Sequence, residues 1–94
     1  MPTYLIERNF GRIDDETMRG YGERSARIVK NEMDGVTWVH SHVAVSPDGT
    51  IRTFCLYIAP DTDALNVHAE KLGGHTIEAI WEVGGDVSPA DFKV

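Results

Sequence analysis

Within VTWVHSHVAV, Val36 to Val45, two histidines stand two residues apart in a run whose other members are mostly β-formers. Side chains at i and i+2 of a strand share a face, with Cβ atoms about 6.5 to 7 Å apart. Imidazoles on His40 and His42 can therefore turn toward one cation. Imidazole suits Zn, Cu, Fe and Ni, and carboxylates commonly complete such sites. Glu7, Glu78 and Glu82 are the acids available in strand-like segments, and His68 and His75 complete the histidine inventory. The alternative reading is structural, because an inward-facing histidine is more often held by hydrogen bonds than by a metal. Three or four ligands must converge on an ion, and one strand supplies two.

Alternation sets Trp38, His40, His42 and Ala44 on one face and Val39, Ser41, Val43 and Val45 on the other. Ser41 is thereby turned away from both histidines and reads as a core-side hydroxyl rather than a nucleophile. Cys55 is the one cysteine, which excludes an intrachain disulfide and a thiolate-rich zinc site within the chain. A three-residue Pro47-Asp48-Gly49 loop sets Ser46 opposite Thr50, His42 opposite Phe54 and His40 opposite Leu56. Cys55 and Tyr57 then face away from the histidines, and a one-residue slip would reverse this. There is no Gly-rich phosphate loop after a strand, no Gly-x-Ser-x-Gly elbow and no Cys-x-x-Cys pair.

The elements that must position these residues follow from local signals. TYLIER, Thr3 to Arg8, reads as a strand. Acids after Gly11 suit the first turn of a helix from about Asp15 to Glu32, with Met18, Gly22, Ala26, Val29 and Met33 on its apolar stripe and Gly35 as a left-handed cap. Gly20 and Gly22 each weaken that helix by about 1 kcal/mol relative to Ala, and Gly22 is expected to permit close packing on a sheet. The remaining charges of RGYGERSARIVKNE form its solvated face. Val36 to Ala59 is a hairpin. Asp61 or Thr62 starts a second helix, with Leu65, His68, Ala69 and Leu72 inward and Gly73 as its stop. TIEAIWEV is a last strand, and residues 84–94 form a polar tail in which Val87 and Phe92 could anchor.

The order β-α-β-β-α-β is the split βαβ pattern of ferredoxin-like α+β folds: a four-stranded antiparallel sheet with both helices on one face. The other face is left bare. With Trp38 and apolar neighbours on it, that face would expose a patch that soluble monomers usually cover, so a homodimer through the sheet is expected, enclosing a lined space. Ninety-four residues make one domain over 1–94, and at this size folding hides only about 60 to 65% of the chain's surface, so pairing would add stability.

Composition bounds the partners. A net charge of −6 with nine scattered Lys and Arg opposes nucleic acid. No stretch approaches 18 apolar residues, and MPTYLIERNF lacks the parts of a secretory signal, so no membrane partner and a cytoplasmic location are expected.

From YLIER through HSHV, DGT, TFCLYIAPDTDAL and VHAEKLG to Glu82-Val83, the chain resembles the small bacterial DUF4242 proteins, nickel-binding-protein-like members of the dimeric α/β-barrel group. The resemblance implies a ferredoxin-like homodimer and binding of a divalent transition metal, nickel, by histidine and acidic side chains. It matches Glu7 to the polar end of the first strand, His40 to the motif histidine and His68 to the helix histidine. His42 stands where the family often has Tyr, adding a ligand, and GGHTIE departs from the Pro-Ala-Asp that often precedes the last strand. The implied metal set is therefore His40, His42, Glu7 and His68. Two other functions stay open: a cofactor-free monooxygenase or isomerase using a His and an acid, and a module binding a small organic ligand without chemistry.

Overall fold

The computed structural model describes residues 1–93. Strands β1 (Thr3–Gly11), β2 (Thr37–Val45), β3 (Ile51–Ile58) and β4 (Thr76–Glu82) form one antiparallel sheet in the order β2-β3-β1-β4. Helices α1 (Asp15–Glu32) and α2 (Thr62–Leu72) make the two crossovers. This is the expected ferredoxin-like α+β arrangement, with β1 running three residues beyond Arg8.

Burial alternates strictly along the two central strands. Tyr4, Ile6, Arg8 and Phe10 of β1, with Ile51, Thr53, Cys55 and Tyr57 of β3, are buried beneath the helices. Leu65 and Leu72 of α2 and Ile28 of α1 bury their side chains, and Val29 and Met33 pack against the same core. Both helices begin where an aspartate caps a free amide: Asp14 accepts from Thr17 N at 2.7 Å and Asp61 from Ala64 N at 2.9 Å. Such caps contribute about 1 kcal/mol each. Helix α1 ends at Met33 in extended backbone, so the left-handed Gly35 (φ 77°) belongs to the turn into β2 rather than to the cap itself.

The hairpin closes as its loop requires. Ser46 N donates to Thr50 O, Gly49 is left-handed (φ 88°), and His42 faces Phe54, His40 faces Leu56 and Ser41 faces Cys55. Trp38 departs from strict alternation. A bulge at Val39 sets Trp38 opposite Tyr57, on the helix side, where the two rings stack at 6.3 Å and the indole N–H donates to Ser41 Oγ at 2.9 Å. The residue expected to mark the bare face lies on the other one.

A Cβ built on Gly20 or Gly22 meets nothing within 4 Å, so Gly22 does not serve close packing as expected. Gly20→Ala should raise the melting temperature by about 4–8 °C, the effect of about 1 kcal/mol in a domain of this size, as a calorimetric scan would read. In the tail, Ser88 caps a 3-10 turn over Pro89–Asp91, while Val87 and Phe92 remain exposed.

Candidate functional site

The face of the sheet away from the helices is organised in cross-strand rows. One runs His40, Leu56, Leu5, Trp81; the next runs His42, Phe54, Glu7, Ala79. His40 and His42 are both exposed on β2, with ring centroids 5.3 Å apart and planes nearly perpendicular. An imidazole nitrogen lies about 2.0–2.1 Å from an ion such as zinc, which puts its ring centroid about 3.2 Å away and two tetrahedrally disposed rings about 5.2 Å apart. The centroid spacing of the pair is thus that of two adjacent ligands of one ion.

The other sequence candidates do not join them within one chain. Glu7 shares the row of His42 but sits two strands away, with Phe54 between, and its carboxylate lies 3.8 Å from Arg52. Glu78, at an irregularity in the β1–β4 pairing, accepts from the Asn9 amide. His68 is on the opposite side of the sheet, fully buried. Among the described residues no group of three His, Cys, Asp or Glu side chains could hold a metal ion.

His68 belongs instead to a buried network around Arg8, which is 2% exposed and central to the helix-side face. Arg8 donates to His75 Nε2 at 2.8 Å and to His68 Nδ1 at 3.3 Å. A guanidinium has only donors, so both contacted nitrogens are acceptors. The remaining ring N–H groups then donate: His75 Nδ1 to Gly73 O at 2.9 Å, and His68 Nε2 to Ser25 Oγ at 3.0 Å. Ser25 Oγ lies 3.2 Å from the Tyr57 hydroxyl. Both imidazoles are neutral in this wiring. Burial, then the Arg8 charge and the cost of a second proton beside His75, holds His68 down to about 4 from the ordinary 6.5. Burial lowers His75 as well, against the Gly73 bond that raises it. Burial raises the Tyr57 phenol.

Strand periodicity sets His40 and His42 on one face, while Arg8, though part of the family-like end of the first strand, and Trp81 carry no assigned role in the sequence. Alternation was the available signal, since Arg8 continues the inward series Tyr4, Ile6. Trp81 follows only once β4 is registered against Leu5.

The family model described as "Nickel responsive protein SCO4226-like" matches residues 4–83. No curated protein matches the chain. A crystal structure of SCO4226 from Streptomyces coelicolor A3(2) superposes with a TM-score of 0.66 at 22% identity, covering 90% of this chain and 99% of that one. That likeness shows the shared fold. The match carries the nickel-related part of the resemblance and not the DUF4242 designation.

Proposed function

This chain belongs to the SCO4226-like family of nickel-responsive proteins, and from that premise we propose that it binds a divalent transition ion, nickel first, through His40 and His42 on the bare sheet face. The observation that carries the reading is the 5.3 Å pairing of two exposed imidazoles, which suits adjacent ligands and leaves the set half complete. The missing ligands come from histidine or acidic side chains of a second copy seated on the same face, where Glu7 also projects. His68, with both nitrogens bonded and the sheet in between, is left out.

The apolar part of that face favours the same arrangement. Leu5, Phe54 and Leu56 lie at its centre, with Ile58 at the end of β3, and neither helix covers them, so a second copy would bury them while closing the space around the histidines. Ligation requires neutral imidazole, so acidification would release the ion.

Calorimetric titration of nickel into tag-free protein tests the site. Wild type should bind, and His40→Gln/His42→Gln should lose affinity by at least about a hundredfold, because structural four-ligand sites hold zinc by about 10–16 kcal/mol in total and half the set is removed. Equal uptake by both proteins would move the site elsewhere. No uptake by wild type would turn attention to the cofactor-free enzyme, with His40 and Glu7 as its first acid–base pair.

A further inference from the structure

On the other side of the sheet, a cavity of about 440 Å³ lies between the N-terminal half of α1 and β1, β2 and β3. Its size falls within the range of about 300–1,000 Å³ usual for small-molecule sites. Most of its wall is apolar, with Phe10, Met18 and Trp38 prominent, and its polar groups include Arg8, Ser25 and Tyr57. Asp15 and Arg19 also line it but are exposed, which leaves Arg8 as the one buried charge on the lining.

Three features of this cavity point the same way. First, the buried guanidinium has no anion. Its hydrogen-bond partners are two neutral imidazoles, its closest π contact is the Tyr57 ring at 5.5 Å, and none of the salt bridges among the described residues involves it. A buried cation without a counter-charge is costly, and the planar fork of Arg matches a carboxylate. Second, the hydroxyls of Ser25 and Tyr57, 3.2 Å apart, share the lining with Arg8; one donates to the other, and the proton left over is a further donor toward the cavity. Third, α1 carries Gly22 where it faces the cavity, although a Cβ there would meet nothing within 4 Å and almost any other residue would favour the helix. The glycine keeps space open at a cost to the helix.

We propose that this cavity binds a small organic monocarboxylate, its carboxylate at Arg8 and at the one free proton of the Ser25–Tyr57 hydroxyl pair, its apolar body among Phe10, Met18 and Trp38. The site is separate from the histidine pair and does not depend on the metal reading. An inorganic anion would satisfy Arg8 but leave the apolar walls empty. A neutral apolar molecule would fill the walls but leave the charge unmet.

The chain has two tryptophans, so Trp81→Phe leaves Trp38, on the cavity wall, as the reporter. Phenylacetate, phenylacetamide and inorganic phosphate are titrated at pH 7 while Trp38 emission is followed. Phenylacetate should give a saturable change with at least about tenfold tighter binding than its isosteric amide, the size expected for hydrogen bonds to a charged group. Phosphate should not displace it. Adding Gly22→Leu should abolish the response while the protein melts no lower than its parent, since Leu favours the helix and fills the cavity. Equal affinity for acid and amide, no response to either, displacement by phosphate, or unchanged binding in Gly22→Leu would each overturn the proposal.

Discussion

Metal-free protein should lose about 3 kcal/mol of stability between pH 6.5 and pH 4, and His68→Gln should remove most of that loss. Burial, reinforced by the adjacent Arg8 charge and by His75, holds the folded imidazole down to about 4. In the unfolded chain it protonates near 6.5. Between those values the unfolded state binds a proton that the folded state does not, so stability is present in full above 6.5 and falls steadily down to about 4. The gap, at about 1.36 kcal/mol per pH unit, gives the stated loss. His75 is lowered as well and adds in the same direction. The lowered carboxylates Asp14 and Asp48 lose their contribution only below the ordinary carboxylate range, and they do so equally in both proteins. A Gln amide can accept from Arg8 and donate to Ser25 without titrating, so it isolates the proton from the packing. Urea unfolding at pH 7, 5.5 and 4, with chelator present, reads the difference. Parallel loss of stability in wild type and His68→Gln would place the acid sensitivity elsewhere.

Much of this architecture is legible because its signals are local. Asp14 and Asp61 cap helices whose first residues they precede, and the Pro47-Asp48-Gly49 loop alone determines that Cys55 faces Ser41 rather than a histidine. The pairing of His40 with His42 on one face follows from strand periodicity. What alternation cannot foresee is an inserted residue. The bulge at Val39 has no glycine to announce it, and it moves Trp38 from the bare face into the stack on Tyr57. Gly22 is misread for a different reason, since a small residue on an inward stripe signals close packing and open space equally, and only the surrounding elements decide. The Arg8 network joins residues 60 and 67 positions apart, beyond the reach of any local pattern, and it takes up His68, which the family resemblance had assigned to the metal.

Because Trp38 is turned inward, the residue that tests dimerisation is Trp81. It is 51% exposed, ends the row His40, Leu56, Leu5, Trp81, and stands beside the apolar centre of the bare face. A tryptophan at such a position commonly carries much of an interface's energy, often about 2 kcal/mol or more on truncation. A buried carboxylate without a partner adds a further penalty, and a twofold interface contains the substitution twice. Trp81→Glu should therefore convert a dimer into a monomer at micromolar concentration, read as a halved mass in sedimentation equilibrium. As an exposed edge-strand position of the single chain, it should leave the monomer's far-ultraviolet circular dichroism unchanged. Trp38→Glu should behave in the opposite way, damaging the core around Tyr57 and lowering the melting temperature whatever the oligomeric state. If the ion is held between copies, Trp81→Glu should also weaken nickel uptake while His40 and His42 remain intact. A wild-type protein that sediments as a monomer, or full nickel affinity in monomeric Trp81→Glu, would separate the metal site from the interface and require its remaining ligands to come from the single chain or from water.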